Sequence, residues 1–396
     1  MSKVDYLNQN LITYIGNKRK LVKYIEDEII HIKENLQKEL ITSFDGFAGS
    51  GSVSRMLKFH SSILFVNDME PYSHCINQCY LSNPNPEKQQ KINQYIHELN
   101  HINFTHEDII CKEYSPNQTY DIKKHERAFY TRENALIIDS IRNKINDYPK
   151  EYFPFLIAPL LVKSSIHTNT SGVFKGFHKK DGIGHFGGKD EINTTSRITK
   201  PIILDQPIFS THDHKCKVFH HNSDINELID DLPLVDIAYL DPPYNQHPYG
   251  SNYFMLNTIL THKIEGNLSK VSGIPNQWTR SNYNYQSSAL KSLKHLLQTI
   301  NARYIILSYN NEGIISKDQL MQLFNELDLY FTLREIEYQT YRGSRNLKDR
   351  NNKVTEYLWI LSPLFDISEP YDLTPLIWIN PSLFNVLHFF ITLEHW

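Results

Sequence analysis

The stretch that decides the fold is Thr42-Ser43-Phe44-Asp45-Gly46-Phe47-Ala48-Gly49-Ser50-Gly51. Its first residues predict a β-strand and its three glycines predict a tight turn, after which Ser52–Phe59 is predicted to form a helix. Residues 63–68 predict a second strand that ends in the acid Asp68. Strand, glycine turn, helix, strand and acid form the opening unit of a doubly wound sheet. The chain is therefore predicted to be an α/β protein with a Rossmann-like sheet.

Helical and strand patterns outside this unit set the predicted domain limits. Helices are predicted at 19–40, 86–99, 132–148 and about 152–165. Strands are predicted at 217–220, 235–240, 304–308, 330–341 and 355–361, and the last two should pair as an antiparallel hairpin at the sheet edge. We therefore predict a discontinuous sheet domain (1–83 and 205–362), an inserted, mostly helical domain (84–204) and a tail without an assigned role (363–396).

Composition limits the class of protein and its compartment. The chain has 396 residues and a formal net charge of −3, so any basic surface must be local. The four cysteines are scattered and predict no disulfide framework, which fits a reducing cytoplasm. The first residues lack the apolar core of a signal peptide, and no uncharged run reaches the roughly 20 apolar residues of a membrane span. A cytoplasmic protein without a membrane partner is the expectation.

The glycine turn indicates a nucleotide-like ligand. Gly49 and Gly51 let the backbone approach a ligand closely, and Asp68 lies at the tip of the next strand, where an acid can bind ribose hydroxyls. A third glycine at the G-x-G-x-x-G spacing is missing, because Ser54 and Arg55 occupy that region. This argues against a nicotinamide dinucleotide and favours another cofactor that carries adenosine. For the glycines alone, a purely structural turn is an equal alternative.

A second motif, Tyr14-Ile15-Gly16-Asn17-Lys18-Arg19-Lys20-Leu21, lies near the N-terminus. One interpretation is a helix start with a basic first turn. Cations there oppose the helix dipole, so helix stability alone would not select this arrangement. We therefore predict that a lysine of this motif meets a ligand carboxylate.

The most specific motif is Asp241-Pro242-Pro243-Tyr244, which follows the apolar run 235–240. The prolines end the strand and stiffen the loop. The carboxylate of Asp241 and a proline carbonyl can then accept both hydrogens of an exocyclic amino group, while Tyr244 stacks on the face of a flat base. The alternative is a strand-terminating turn with aromatic packing. Tyr249 and Tyr253 can line the same pocket, although core packing is an equal alternative for Tyr253.

Together these motifs resemble one family. The order of 14–21, 45–51, an insertion and 241–244 is similar to that of the D12-class (α-type, Dam-like) DNA adenine-N6 methyltransferases, over about residues 10–362. The resemblance also includes the segments 127–135, 167–174, 308–313 and 341–346. It implies a Rossmann-like methyltransferase sheet that uses S-adenosyl-L-methionine (AdoMet) as its cofactor.

The resemblance also implies roles for residues. It assigns Tyr14, Gly16 and Lys18 to an N-terminal cofactor motif, and it places the residues Asp45, Phe47, Gly49 and Gly51 around the methionine part of AdoMet. It also implies that Asp68 is the acid that binds the ribose. Asp224 is expected near the cofactor adenine, although a helix N-cap is an alternative for it. The implied catalytic set is Asp241, Pro242, Pro243 and Tyr244. We expect Asp241 to have a near-normal pKa, and therefore to orient the amino group of the target adenine rather than to act as a strong base.

The implied partner is duplex DNA, with the target adenine flipped out of the helix. The implied biology is the modification enzyme of a restriction–modification system, with a possible cognate endonuclease and a monomeric state. An RNA adenine methyltransferase and an inactive nucleic-acid-binding module are the alternatives. The insertion 84–204 is expected to be the target-recognition domain. DNA contacts are expected from it, because residues 163–217 contain nine Lys or Arg against five Asp or Glu, and also from Arg342 and Arg345. His212, His214 and Cys216 have strand spacing that could bind zinc, but methyl transfer needs no metal and none is expected.

Overall fold

The structure is a computed structural model that describes residues 6–7, 9, 11–187, 191–210, 215–339 and 353–363. Its strands are β1 (Ile41–Asp45), β2 (Ser61–Asn67), β3 (Lys179–Lys180), β4 (Ile183–Gly184), β5 (Lys217–His221), β6 (Val235–Leu240), β7 (Ala302–Asn310), β8 (Leu329–Gln339) and β9 (Lys353–Pro363). Seven of them form one sheet in the order β5-β2-β1-β6-β7-β9-β8, while β3 and β4 pair separately.

The α-helices surround this sheet and also make up most of the insertion. They are α1 (Val22–Asn35), α2 (Ser52–His60), α3 (Pro71–Tyr80), α4 (Pro86–Leu99), α5 (Ile109–Tyr114), α6 (Arg132–Lys144), α7 (Phe153–Ile166), α8 (Glu191–Thr199), α9 (Ile225–Leu228), α10 (Tyr249–Asn252), α11 (Phe254–Thr261), α12 (Ala289–Thr299) and α13 (Lys317–Glu326). Short 3₁₀ turns occur at Lys18–Lys20, Ile145–Asp147, Lys150–Tyr152, Ile229–Asp231 and Asn282–Asn284.

The strand order places the ligand crevice. Strands β5, β2, β1, β6 and β7 run parallel, and the order reverses between β1 and β6. In an open α/β sheet, ligands bind at such a switch point, beyond the carboxyl ends of the strands. Asp45 ends β1, and Asp241 directly follows β6. The predicted Rossmann-like α/β fold is confirmed.

The predicted edge hairpin is also confirmed. β8 and β9 pair antiparallel from Leu329↔Pro363 to Gln339↔Lys353, and β9 lies between β8 and β7. Because β9 pairs with β7, Glu356 lies opposite Asn310 at the end of β7. The predicted contact residues Arg342 and Arg345 lie outside the described residues.

The predicted helix at 19–40 is too long at both ends. Lys18–Lys20 forms a 3₁₀ turn, and α1 begins only at Val22. Its end at Asn35 has a local cause, because Gln37 has a φ of 52°, which a right-handed helix cannot contain. The other predicted helices agree closely: α4 has the predicted bounds, with Asn85 capping its N-terminus, whereas α6 ends at Lys144 and the predicted helix continues to 148.

The insertion shares one hydrophobic core with the sheet domain. Buried residues of α3 and α11 belong to the same cluster as residues of α4, α6 and α7. The centre of α7 is fully buried, although it contains Pro159, and α7 packs on α3. The limits 84–204 therefore mark an insertion in the chain order, and the division into domains at these limits stays a prediction.

Other parts of the chain add two observations. Within the described ranges, no helix is long and apolar enough to cross a membrane. Cys75 and Cys79 are buried on α3. Apart from Pro363, the predicted tail 363–396 lies outside the described residues, as do His212 and His214 of the candidate zinc set.

Candidate active site

The glycine turn after β1 has a left-handed backbone conformation, which favours glycine. Gly49 has a φ of 51° and Gly51 a φ of 73°. A Cβ on Gly49 would lie 2.9 Å from the Tyr14 ring, and one on Gly51 would lie 2.2 Å from Asn77 Oδ1. The turn is therefore shaped by close approach as well as by backbone conformation.

A cleft opens above the turn, at the switch point of the sheet. Ten of the predicted site residues line it: Tyr14, Gly16, Lys18, Asp45, Phe47, Gly49, Asp68, Asp224, Asp241 and Pro243. The N-terminal motif, the glycine turn, the tip of β2 and the loop after β6 are far apart in the chain. The fold brings all of them to one place.

Two acids on the floor of the cleft are held by hydrogen bonds. Asp45 Oδ2 accepts a hydrogen bond of 2.5 Å from the Ser54 hydroxyl. This bond lowers the pKa of Asp45, but burial outweighs it and raises the pKa to about 7. Asp68 accepts from the backbone N–H of Gly49 at 2.6 Å and from that of Glu70 at 2.8 Å. Asp68 thus ties the glycine turn to the residues before α3, and burial raises its pKa.

Asp241 and Lys18 form a buried ion pair. Lys18 Nζ lies 2.9 Å from Asp241 Oδ1 and 2.9 Å from Oε1 of Glu356, which is fully buried. Burial lowers the pKa of Lys18, but Asp241, Tyr244 and Glu356 outweigh it and hold the pKa well above its usual value. We predicted that this lysine meets a ligand carboxylate, and the carboxylates that it meets in the structure belong to the protein.

The environment of Asp241 makes it a weak acid but not a strong base. Its side chain is 16% exposed to the cleft. Burial raises the pKa of Asp241 to about 6, while Lys18 opposes the shift and Glu356 adds to it. The pKa of Asp241 is therefore higher than the near-normal value that we expected. A carboxylate with this pKa still cannot deprotonate a neutral amine.

Three predicted residues do not line the cleft. Gly51 supports the turn and Pro242 is buried. The Tyr244 ring lies over Lys18, with Nζ 5.0 Å from the ring centroid, and packs edge-on against Tyr309. The backbone carbonyl of Tyr244 accepts a hydrogen bond from the N–H of Ile314. Stacking of Tyr244 on a base stays a prediction.

Comparison with known proteins agrees with this geometry. The family model of the D12 class N6 adenine-specific DNA methyltransferases matches residues 14–323. The chain belongs to this family. The expected resemblance is thereby confirmed, and the match spans the glycine turn, the insertion and Asp241–Tyr244.

Two relatives of this methyltransferase match over nearly their whole length. The Type II methyltransferase M.NlaIII of Neisseria lactamica is 29% identical over 362 residues, which are 89% of this chain and 100% of the relative. The Type II methyltransferase M.CviAII of Paramecium bursaria Chlorella virus 1 is 29% identical over 360 residues, 89% of this chain and 98% of the relative. A solved magnesium protoporphyrin IX methyltransferase from Synechocystis PCC 6803 with bound SAM is 8% identical, with a TM-score of 0.29 and coverage of 91% and 89%.

Asp224 of this methyltransferase is a helix N-cap that also faces the cleft, and its role beside the cofactor adenine stays a prediction. It lines the cleft beyond β5, and its side chain also accepts a hydrogen bond of 2.9 Å from the N–H of Asn226 at the start of α9. An N-cap that faces the cleft keeps lone pairs for a ligand.

The tyrosines after the Asp241 loop differ in their surroundings. Tyr249 lines the cleft and stacks on Tyr14, with 4.9 Å between ring centroids. Tyr253 is 1% exposed, also stacks on Tyr14, and accepts a hydrogen bond from the N–H of Ile15. Core packing is thus the better description of Tyr253.

The sequence reasoning missed two buried glutamates. Glu70 lines the cleft and accepts hydrogen bonds from Thr279 and from Asn257, and burial raises its pKa to about 7. The sequence signal for Glu70 is its position two residues after Asp68, just beyond the tip of β2. Glu356 had no such signal, because the strand pairing of β9 alone brings it to Lys18.

In the part of the chain that the structure describes, no group of three or more His, Cys, Asp or Glu side chains could hold a metal ion. Cys216 of the candidate zinc set is buried at the start of β5.

Proposed function

We propose that this D12-class methyltransferase moves the methyl group of AdoMet to the N6 atom of an adenine that is flipped out of duplex DNA. One observation carries the proposal: Asp241 and the glycine turn with Asp68 line the same cleft. A donor site and an acceptor site that share one cleft hold the two reactants close, which supplies much of the acceleration of a transfer reaction.

The cofactor half of the cleft fits AdoMet by its chemistry. Gly49 leaves the backbone open to close approach, and Asp68 keeps lone pairs for ribose hydroxyls beside its two backbone hydrogen bonds. Asp224 is assigned to the adenine, and Tyr14, Gly16, Asp45 and Phe47 to the rest of the cofactor. When bound, AdoMet supplies an electrophilic methyl group.

The acceptor half orients the adenine amine. Asp241 and the carbonyl of Pro242 accept the two amino hydrogens, so that the nitrogen lone pair points toward the methyl donor. Asp241 takes or relays a proton after the nitrogen has become cationic. Lys18 holds the Asp241 carboxylate in place through the 2.9 Å ion pair. Pro243 and Tyr244 complete the rigid loop, and Tyr244 is assigned to stacking on the base.

The proposal includes a biological setting. Both relatives named above carry the name Type II methyltransferase, which supports a role as the modification enzyme of a restriction–modification system. The proposed partners are duplex DNA and a cognate endonuclease, the proposed state is a monomer and the proposed compartment is the cytoplasm. Mapping methylated adenines in DNA from an expressing host tests this setting and gives the target sequence.

The substitution Asp241→Asn tests the chemistry. Because Asn cannot take the proton, we expect transfer to duplex DNA to fall by at least roughly 100-fold, while calorimetry still detects AdoMet binding. The matched control is Asp230→Asn, which makes the same change at an exposed position. A wild-type rate in the Asp241 variant contradicts the assigned role.

Labelled AdoMet separates the alternatives. We expect label in duplex DNA. Label in structured RNA alone would instead identify an RNA methyltransferase, and bound AdoMet without transfer to either polymer would identify an inactive binding module.

A further inference from the structure

An exposed cluster of aromatic and cationic side chains lies between α11 and α12. The Arg280 guanidinium is 4.0 Å from the centroid of the Tyr285 ring and 5.9 Å from that of Trp278. Trp278 is 36% exposed and Tyr285 is 41% exposed. With Lys175, which belongs to the insertion, these residues form what we call the rim cluster (Lys175, Trp278, Arg280 and Tyr285).

The rim cluster lies beside the cleft, because the segment 278–285 that carries three of its four residues also lines the cleft. Thr279 and Ser281, which flank Arg280, and also Asn284 are cleft residues. Asn284 donates a hydrogen bond of 2.8 Å to the carbonyl of Asn245, directly after the Asp241–Tyr244 loop. A Cβ on Gly250 would lie 2.4 Å from the Thr279 carbonyl, so the segment also packs tightly on α10. The cluster is thus fixed to the active-site loop.

The two cations of the rim cluster repel each other. Burial lowers the pKa of Lys175, and the positive charge of Arg280 lowers it further. Among the described residues, neither cation forms an ion pair with an acid. The Lys175 carbonyl accepts a hydrogen bond of 2.8 Å from the hydroxyl of Ser272, which ties this part of the insertion to the chain that leads to Trp278. An anion between the two cations would relieve the repulsion.

We propose that the rim cluster binds the DNA strand beside the flipped adenine, with Lys175 and Arg280 on phosphates and Trp278 and Tyr285 against an unstacked base. This inference rests on the proposed function. Cations next to exposed aromatic rings match the chemistry of a nucleic acid strand that has lost its pairing, because every base offers a face for stacking. The cluster joins the insertion to the catalytic segment, so one strand would contact both parts.

Salt dependence tests the cationic half. Each phosphate contact contributes about 0.9 to the slope of log binding constant against log salt concentration. We expect Lys175→Ala and Arg280→Ala each to reduce the slope for duplex DNA by about one. The matched control is Lys294→Ala, because the charge of Lys294 is already paired with Glu326.

Stacking tests the aromatic half. We expect Trp278→Ala and Tyr285→Ala to weaken DNA binding by roughly 5- to 150-fold each, with the salt slope unchanged. Tyr120→Ala is the control, because Tyr120 is 93% exposed. AdoMet affinity and the melting temperature should stay at wild-type values in all of these variants, which separates a lost contact from a lost fold.

The outcomes distinguish the inference from the function on which it rests. If the wild-type protein methylates duplex DNA but the four variants bind it with wild-type affinity and salt slope, the inference is wrong and the proposed function stands. If the wild-type protein neither binds nor methylates duplex DNA, both are wrong. Capture of a protein partner by the cluster, without any effect on DNA binding, also overturns the inference.

Discussion

Asp241 is one member of a buried network of three charges. Lys18 is shared between two carboxylates, and the second one, Glu356, is held in turn by a 2.7 Å hydrogen bond from the Ser308 hydroxyl. Removal of one partner from such a buried network typically costs about 3–5 kcal/mol, because a charge is left uncompensated. The network therefore fixes both the position of Asp241 and the pH at which it ionises.

The substitution Glu356→Gln should move the acidic limb of the pH–rate profile. The charge of Glu356 raises the pKa of Asp241, so its removal lowers that pKa and Asp241 stays ionised at lower pH. We expect the midpoint of the acidic limb in kcat, near pH 6 in the wild-type protein, to shift to lower pH. The other groups that face Asp241 are unchanged in the variant: Lys18, Asp45, Tyr239, Tyr244 and Tyr249.

Two comparisons make this pH test specific. Glu337→Gln removes an exposed carboxylate from the neighbouring strand β8 and should leave the limb in place. A purely structural role for Glu356 would lower activity at every pH without moving the midpoint. A shift to higher pH contradicts the expected sign.

At the scale of elements, the turn between β1 and α2 depends on backbone freedom. Gly49 combines a left-handed φ with the approach of the Tyr14 ring, and its N–H is bonded to Asp68. One change at this residue therefore disturbs the glycine turn, the N-terminal motif and the tip of β2 together.

The substitution Gly49→Ala should weaken AdoMet binding. The left-handed conformation costs an alanine about 1–2 kcal/mol, and its Cβ would force the Tyr14 ring away from a distance of 2.9 Å. We expect the dissociation constant for AdoMet, measured by calorimetry, to rise by at least roughly tenfold, since 1.4 kcal/mol is a factor of ten.

Gly176→Ala is the matched control for this turn. A Cβ at Gly176 meets nothing within 4 Å, and this glycine has no left-handed φ. Its AdoMet affinity should equal that of the wild-type protein. An unchanged affinity in the Gly49 variant would show that the turn tolerates a side chain and would weaken its assignment to the cofactor.

At the scale of the whole molecule, the insertion and the sheet domain share one core. Helix α7 of the insertion packs on α3, which follows the tip of β2. Their common cluster contains residues from α3, α4, α6, α7 and α11. Damage in the insertion should therefore spread to the active site.

The substitution Leu160→Ala should lower the stability of the whole protein. Leu160 is fully buried at the centre of α7, and a buried Leu→Ala change costs about 2–5 kcal/mol. We expect one cooperative thermal transition at a lower temperature. Circular dichroism and the loss of AdoMet binding should both report this transition at the same temperature. The exposed-site variant Tyr120→Ala should stay within about 0.5 kcal/mol of wild type. Two transitions, with only one of them shifted, would instead show that the insertion folds independently.

The local features could be predicted because their causes are local. The prolines of Asp241–Tyr244 cannot continue a ladder, and the left-handed φ values at Gly49 and Gly51 favour glycine, so both motifs mark strand ends. The predicted bounds of α4 agree with the structure, in which Asn85 and Pro86 supply a cap and a first turn. The helix predicted at 19–40 was too long, because the limits of α1 depend on the backbone conformations of Lys18 and Gln37. The hydrophobic periodicity of the sequence does not contain that information.

By itself, the sequence determined the class of sheet, the motif order and most residues of the cleft, because hydrophobic periodicity and backbone limits act over a few residues. Only the tertiary structure decided the partners of those residues. Lys18 meets Glu356 because β9 inserts between β7 and β8, and Glu70 meets Thr279 because the segment 278–285 packs on the active-site loop. Such contacts depend on strand pairing and on packing between distant segments, and no local pattern carries that information.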